Sequence, residues 1–183
     1  MKQYQPNKIL GFLLVVLSLF SCSSNLDFDQ VNDFIADPVF IANLSSFDVP
    51  ANQFMENGME KNVTFDAQEF DVFQDSFFRK NLRQADFFFE INNTIKRPFT
   101  VDIVFLDGNN QTLHNINFDV PAFSGTENLV FQTEIFENTK LDLLKRARRM
   151  TFGIRIGPGP AINTSSSGSL KLRSSATAYL LIK

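Results

Sequence analysis

Tryptophan is absent from this 183-residue chain, cysteine and histidine each occur once, and tyrosine occurs twice. A lone cysteine, Cys22, makes an internal disulfide impossible, so stability has to come from a packed core. One histidine, His114, leaves a zinc site with a single imidazole and at most one thiolate, short of the usual ligand set. A serine or cysteine triad would likewise rest wholly on it. In "TLHNINF" His114 falls out of phase with Leu113, which places it on the polar face of a predicted strand. A positive excess is missing too: 17 basic residues stand against 20 acidic ones. That excludes a general nucleic-acid binder, which needs a positive field to displace counterions from phosphates. No apolar run is long enough to span a bilayer, since a helix needs roughly 20 such residues for about 30 Å of hydrocarbon.

What the chain has in abundance is phenylalanine, 22 residues of it, within 44% hydrophobic residues overall. Its one continuous apolar stretch is Ile9 to Phe20, preceded by Lys2 and Lys8 and by no acid before Asp27. A short apolar core behind a positive n-region is the pattern of an export signal. The run ends in Leu19-Phe20-Ser21-Cys22, which resembles the lipobox of bacterial lipoproteins, with Phe20 bulkier than the residue usual at its place. The resemblance implies a signal peptide over 1–21, lipid attachment at Cys22, and a chain held by acyl groups in the envelope of a gram-negative bacterium, at its outer membrane. Several acyl chains hold essentially permanently where a single one anchors only marginally. Removing residues 1–21 takes away two lysines and no acid, so 17 against 20 becomes 15 against 20, a net charge of −5. Lipidation also removes the one thiol nucleophile.

Residues 22–37 are polar and acidic with no steady period, and they read as a flexible tether. Asp27, Asp29 and Asp33 resemble an acidic surface-export stretch of some lipoproteins, with a solvated linker as the plainer reading. From residue 38 to 183 the pattern is one of short strands. "VFIANLSSFDV" ends at Pro50, and "FDAQEFDVF" puts Phe70 and Val72 on one face. "DSFFRKNL", with Phe73, Phe77 and Leu82, suggests a helical turn. "ADFFFEI" alternates Ala85, Phe87, Phe89 and Ile91, and "FTVDIVFL" alternates Phe99, Val101, Ile103 and Phe105, which predicts an antiparallel hairpin across "NNTIKRP". "LDGNNQTL" is a second hairpin turn. Its alternative, a calcium loop on Asp107, Asn109 and Asn110, lacks the acids and the downstream glutamate such loops use. "MTFGIRI" and "SLKLRSSATAYLLI" supply the last alternating strands, with Leu170, Leu172, Ser174, Ala176, Ala178, Leu180 and Ile182 inward. Seven to eight strands at this spacing predict an all-β, two-sheet antiparallel sandwich, immunoglobulin-like in architecture, with a small closed barrel as its rival.

One segment, "NTKLDLLKRARRM", breaks the β pattern and predicts a short helix near 138–149. Thr139 and Asp142 have capping-box spacing, and Leu141, Leu144 and Ala147 share a face. Lys145, Arg146, Arg148 and Arg149 crowd its C-terminal end, as a solvated cationic side or a site for lipid phosphates or an acidic partner. Many carboxylate pairs exist but no spacing selects one, so no catalytic residue, metal or cofactor is assigned. Phe78, Phe88 and Phe123 fall outside the inward-alternating set. Exposed apolar rings suit a protein partner better than a sugar, and tryptophan and most tyrosine are missing. The expectation is therefore a lipid-anchored, non-catalytic interaction or structural accessory with an envelope protein as partner. Glycan or small-ligand binding is the alternative.

Overall fold

The computed structural model describes residues 35–66 and 72–183. The expected export signal, Cys22, the acids Asp27, Asp29 and Asp33, and Phe70 lie outside the described residues. The body spanning Ala36–Ile182 contains strands β1 (Val39–Pro50), β2 (Met55–Glu56), β3 (Met59–Glu60), β4 (Val63–Asp66), β5 (Leu82–Asn93), β6 (Phe99–Leu106), β7 (Thr112–Val120), β8 (Leu129–Phe136), β9 (Arg149–Ile156) and β10 (Ser169–Leu180). Two short helices join them, α1 (Ser76–Asn81) and α2 (Asn138–Arg146).

Two four-stranded antiparallel sheets form a sandwich, one in the order β1-β10-β5-β8 and the other β4-β9-β6-β7, with β2 and β3 as a small separate ribbon. Counting only the eight sandwich strands along the chain, the sheets run 1-8-3-6 and 2-7-4-5. That is jelly-roll connectivity, two nested Greek keys. The immunoglobulin-like likeness thus holds at the level of two packed sheets, and among the described residues no ladder closes them into a barrel.

The period-2 pattern is what builds the core. Ala85, Phe87, Phe89 and Ile91 of β5, and Phe99, Val101, Ile103 and Phe105 of β6, are all buried. Rings meet across the two sheets: Phe87 lies 5.8 Å from Phe105, and Phe89 lies 5.6 Å edge-on to Phe118. Fully burying each such side chain contributes about 1.5–3 kcal/mol.

The expected hairpin between β5 and β6 does not form. The two strands belong to opposite sheets, β5 between β10 and β8, and β6 between β9 and β7. Alternation alone is the same whether two inward faces lie side by side or face one another across a core. The connection decides: Asn93, Ile95 and Arg97 are buried and carry the chain from one sheet to the other. The Asp107 turn does join paired strands, β6 and β7.

The helix after β8 forms as Asn138–Arg146 and buries Leu141 and Leu144, with Ala147 just beyond. Its expected capping box does not form. Glu137 is the N-cap without a side-chain bond, and its carbonyl accepts from the N–H groups of Lys140 and Leu141 at 3.0 and 3.2 Å. In α1 the Asp75 carboxylate caps Phe77 N and Phe78 N at 2.9 and 3.1 Å. Phe73 and Leu82 are buried there as their spacing suggests, whereas Phe77 points to solvent.

Candidate functional site

Three sets of polar or exposed residues can be weighed. The first is His114. Contrary to the polar-face expectation, it shares the inward phase of Ile116, Phe118 and Val120, all buried, while Leu113 is the residue out of step. His114 stands opposite Phe105 across the ladder, and its ring lies 5.5 Å from Phe136. Its Nε2 is 2.7 Å from Glu134 Oε1, which also accepts from Lys140 Nζ at 2.6 Å. This cluster ties an edge strand of each sheet to α2. Among the described residues no hydroxyl bonds to the imidazole, so the geometry is that of a brace.

The Asp107 loop is equally committed to structure. Asp107 Oδ1 accepts from Asn109 N at 2.8 Å and Gln111 N at 2.9 Å, which spends the carboxylate on holding the turn. Among the described residues no group of three metal-ligating side chains gathers.

The second set is the outward face of the β1-β10-β5-β8 sheet. Phe88 and Phe131 stack there at 6.0 Å and 24°, with Phe131 56% exposed. Ile135, two positions further out along β8 after Thr133, is also exposed. Arg173 faces Glu90 beside them, its Nε donating to Oε1 at 3.1 Å. A shallow open cleft of about 630 Å³ continues along the sheet, lined by Asp48, Glu90, Asn92, Lys171 and Arg173 among others. A hydrogen bond from Ser169 and then one from Lys171 hold the Asp48 carboxyl below its usual range.

The edge of that face is open. Asn93 N donates to Asn128 O at 3.4 Å, and bonded pairs alternate along an antiparallel ladder. The even-numbered residues of β8 therefore bond to β5, and Leu129, Phe131, Thr133 and Ile135 turn their N–H and C=O groups to the free side. The other outer strands carry edge-blunting features: a bulge at Asn43/Ser45 in β1, only four residues in β4, and Asn115, Asn117 and Asp119 on β7. The outward row of β8 has neither charge, proline nor bulge.

The third set is basic. Lys145 and Arg146 end α2, Arg148 follows it, and Arg149 opens β9. They do not act as one free patch. Lys145 Nζ donates to Leu82 O at 3.1 Å, and Arg149 Nη1 donates to Asn110 Oδ1 at 2.6 Å. Burial lowers the Lys145 ammonium pKa; Asp142 opposes this, and Arg83 and Arg79 add to it. Arg79 on α1 and Arg83 on β5 are thus further members of this cationic group. Sequence spacing could not reveal them, because only the fold brings α1 beside the end of α2.

Of the three phenylalanines singled out from sequence, Phe88 is exposed, whereas Phe78 packs against the core and Phe123 is half-buried. Phe123 N donates to Ile95 O at 2.9 Å, which fixes it to the crossing between sheets. Phe131 and Ile135 were legible as the odd positions of "LVFQTEIF", but their neighbours Val130 and Phe136 made either face a candidate core.

Fold and surface together define a class: a jelly-roll sandwich with an open strand edge and no enclosed cavity among the clefts described. No family model matches the chain, and no curated protein matches it. Solved structures do. A structure of infectious bursal disease virus, Gx strain, aligns at TM-score 0.45 and 11% identity over 79% of this chain and 32% of that one. A putative secreted protein from Parabacteroides distasonis aligns at 0.42 and 14% over 79% and 38%. A disulfide-linked pilus protein of Bacillus endospore appendages aligns at 0.31 and 11% over 81% and 89%. The chain spans about a third of the length of the first of these, and identity at this level assigns no shared activity.

Proposed function

We propose that this chain is a lipid-anchored envelope protein, tethered through Cys22, whose sandwich works as a non-catalytic docking module for another envelope protein. The anchor reading is supported by the Lys2 and Lys8 n-region, the short apolar core and the lipobox-like Leu19-Phe20-Ser21-Cys22. The docking reading is carried by one observation: the stacked, exposed Phe88 and Phe131 beside an unpaired edge strand. A partner segment can add to β8 through backbone hydrogen bonds while burying its side chains on those rings, the mode called strand addition. In-cell crosslinking from position 133, on the same outward row of β8, tests it. A single co-purifying envelope protein, lost on Phe131→Glu, is the expected result; unchanged capture by Phe131→Glu overturns the assignment of this face. Labelled palmitate tests the anchor, with incorporation expected in the wild type and absent from Cys22→Ala.

A glycan reading draws on the same near-parallel rings with Glu90 and Arg173 alongside, since sugars stack on aromatic faces and bond to charged groups. Saturable oligosaccharide binding that Phe88→Ala abolishes, without any protein partner recovered, would replace the first reading by this one.

A further inference from the structure

The strands of the sandwich run between two ends, and the ends differ. At one end lie the start of β1, α1, the start of β5, the end of β10, and α2 with its exit into β9, as the pairs Val39–Tyr179, Leu82–Leu180 and Ala85–Phe136 place them. Residues 1–34 join the body at this same end, where Ala36 pairs with Ile182. The tether therefore reaches the domain here.

This end combines cations with exposed apolar side chains. Phe40 is 48% exposed, Ile41 75% and Phe77 46%. The rings form a chain, Phe40 against Phe78 at 5.9 Å and Phe78 against Phe77 at 6.2 Å. Arg79 and Lys80 follow Phe77 and Phe78 directly on α1. Lys145 Nζ reaches Leu82 O at 3.1 Å, next to Arg83 in sequence, and its pKa is lowered first by burial and then, against Asp142, by Arg83 and Arg79, so three basic side chains converge. Among the described residues, the nearby acids are mostly committed to other contacts. Asp75 is spent capping α1, Asp86 accepts from Gln84 Nε2 at 2.7 Å on the outward face, and Asp142 is the carboxylate acting on Lys145. Asp37, Asp107 and Glu137 stand at the same end, Asp107 holding its own turn.

Exposed rings among clustered basic side chains suit a surface that is negative outside and apolar just beneath, which is the interface of an anionic lipid leaflet. We propose that this end, through Phe40 and Phe77 set among Arg79, Arg83, Lys145 and Arg146, docks on anionic lipid headgroups of the membrane to which the tether leads. Charge complementarity and the point where the tether joins the domain both select a lipid surface over a soluble acidic partner. The proposal rests on the lipid-anchor reading for its setting. It turns the tether from a free leash into one that returns the domain, basic end down, to the membrane, and leaves the β8 edge free for a partner.

The lack of tryptophan makes a direct test available. The full chain carrying Phe77→Trp has one indole, and so does the chain carrying Met59→Trp at the opposite end. Each is mixed with phosphatidylcholine vesicles, with and without phosphatidylglycerol, and with brominated acyl chains as quencher. The Phe77→Trp indole is expected to shift to the blue and be quenched only with phosphatidylglycerol, and to revert in about 1 M salt, where the Debye length is about 3 Å. The Met59→Trp indole is expected to stay unchanged. Adding Arg79→Gln and Arg83→Gln should weaken the lipid dependence on the order of thirtyfold, with an unchanged thermal midpoint showing that the fold survives. Equal quenching at the two ends, quenching in neutral vesicles, or no quenching in anionic ones overturns the proposal, and so does a shift produced by polyglutamate alone. Palmitate incorporation at Cys22 is a separate readout, so a failed anchor and a failed docking end are distinguished.

Discussion

Asn93 and Arg97 hold the crossing between the two sheets: Asn93 Nδ2 donates to the Arg97 carbonyl at 2.8 Å, from a side chain wholly removed from water. The same amide donates to Pro121 O at 2.7 Å, and its Oδ1 accepts from Ile95 N at 2.9 Å. One side chain thus satisfies three backbone groups where no ladder can reach them. Asn93→Leu removes all three bonds and leaves buried donors and acceptors behind. We expect a loss of about 3 kcal/mol, read as a lower midpoint in urea denaturation.

Arg97 extends the crossing to the long loop before β10. Its Nε donates to Gly157 O at 2.6 Å, Nη1 to Gly159 O at 2.6 Å and to Pro160 O, and Nη2 pairs with Glu60 at 3.1 Å. A lysine keeps the charge but cannot reproduce a planar fork. Arg97→Lys is expected to cost about 2 kcal/mol and to raise hydrogen exchange selectively in residues 157–162.

Gly168 and Gly125 separate backbone strain from collision. Both have positive φ, +98° and +103°. A Cβ at Gly168 would stand 2.3 Å from Thr94 O, whereas one at Gly125 meets nothing within 4 Å. Thr94 cannot yield, since its N–H and hydroxyl both donate to Ser169 O. Gly125→Ala should cost about 1 kcal/mol. Gly168→Ala should cost more than twice that in the same thermal melt; equal losses would refute the clash.

Ser174 interrupts an otherwise apolar inward row because β1 bulges opposite it. Its hydroxyl donates to Ser45 O at 2.7 Å and accepts from Ser45 N at 3.0 Å, pairing the groups that the shift at Asn43/Ser45 leaves out of the ladder. Ser174→Ala should destabilise by about 1–2 kcal/mol, and Ser174→Val by no less despite greater apolar burial.

Phe87 packs against Phe105, Phe136 and Phe73 at 5.8, 4.9 and 5.8 Å, joining strands of both sheets to the segment before α1. Phe87→Ala should cost about 3–5 kcal/mol, while Phe131→Ala on the outer face should change the midpoint little.

Strand number, inward faces and the short helix are set by local sequence, because burial alternates with period two along each strand whatever its neighbours. Phe87, Phe89, Val101, Ile103, Leu170 and Leu172 could be read off in this way, as could the Asp107 turn and the apolar face of Leu141 and Leu144. The proposed export signal and lipid site at Cys22 likewise rest on sequence alone, on charge, length and the residues before the cysteine. Which strands pair, and therefore the jelly-roll connectivity, was decided by the tertiary structure, since a hairpin and a cross-core pair share one hydrophobic pattern. His114 shares the phase of Ile116 by the same local alternation, whereas its partners Phe105, Phe136 and Glu134 come from the tertiary structure. The meeting of Arg79, Arg83 and Lys145 beside Phe77 depends on sheets that bring residues more than sixty positions apart to one end, a distance over which no local periodicity carries information.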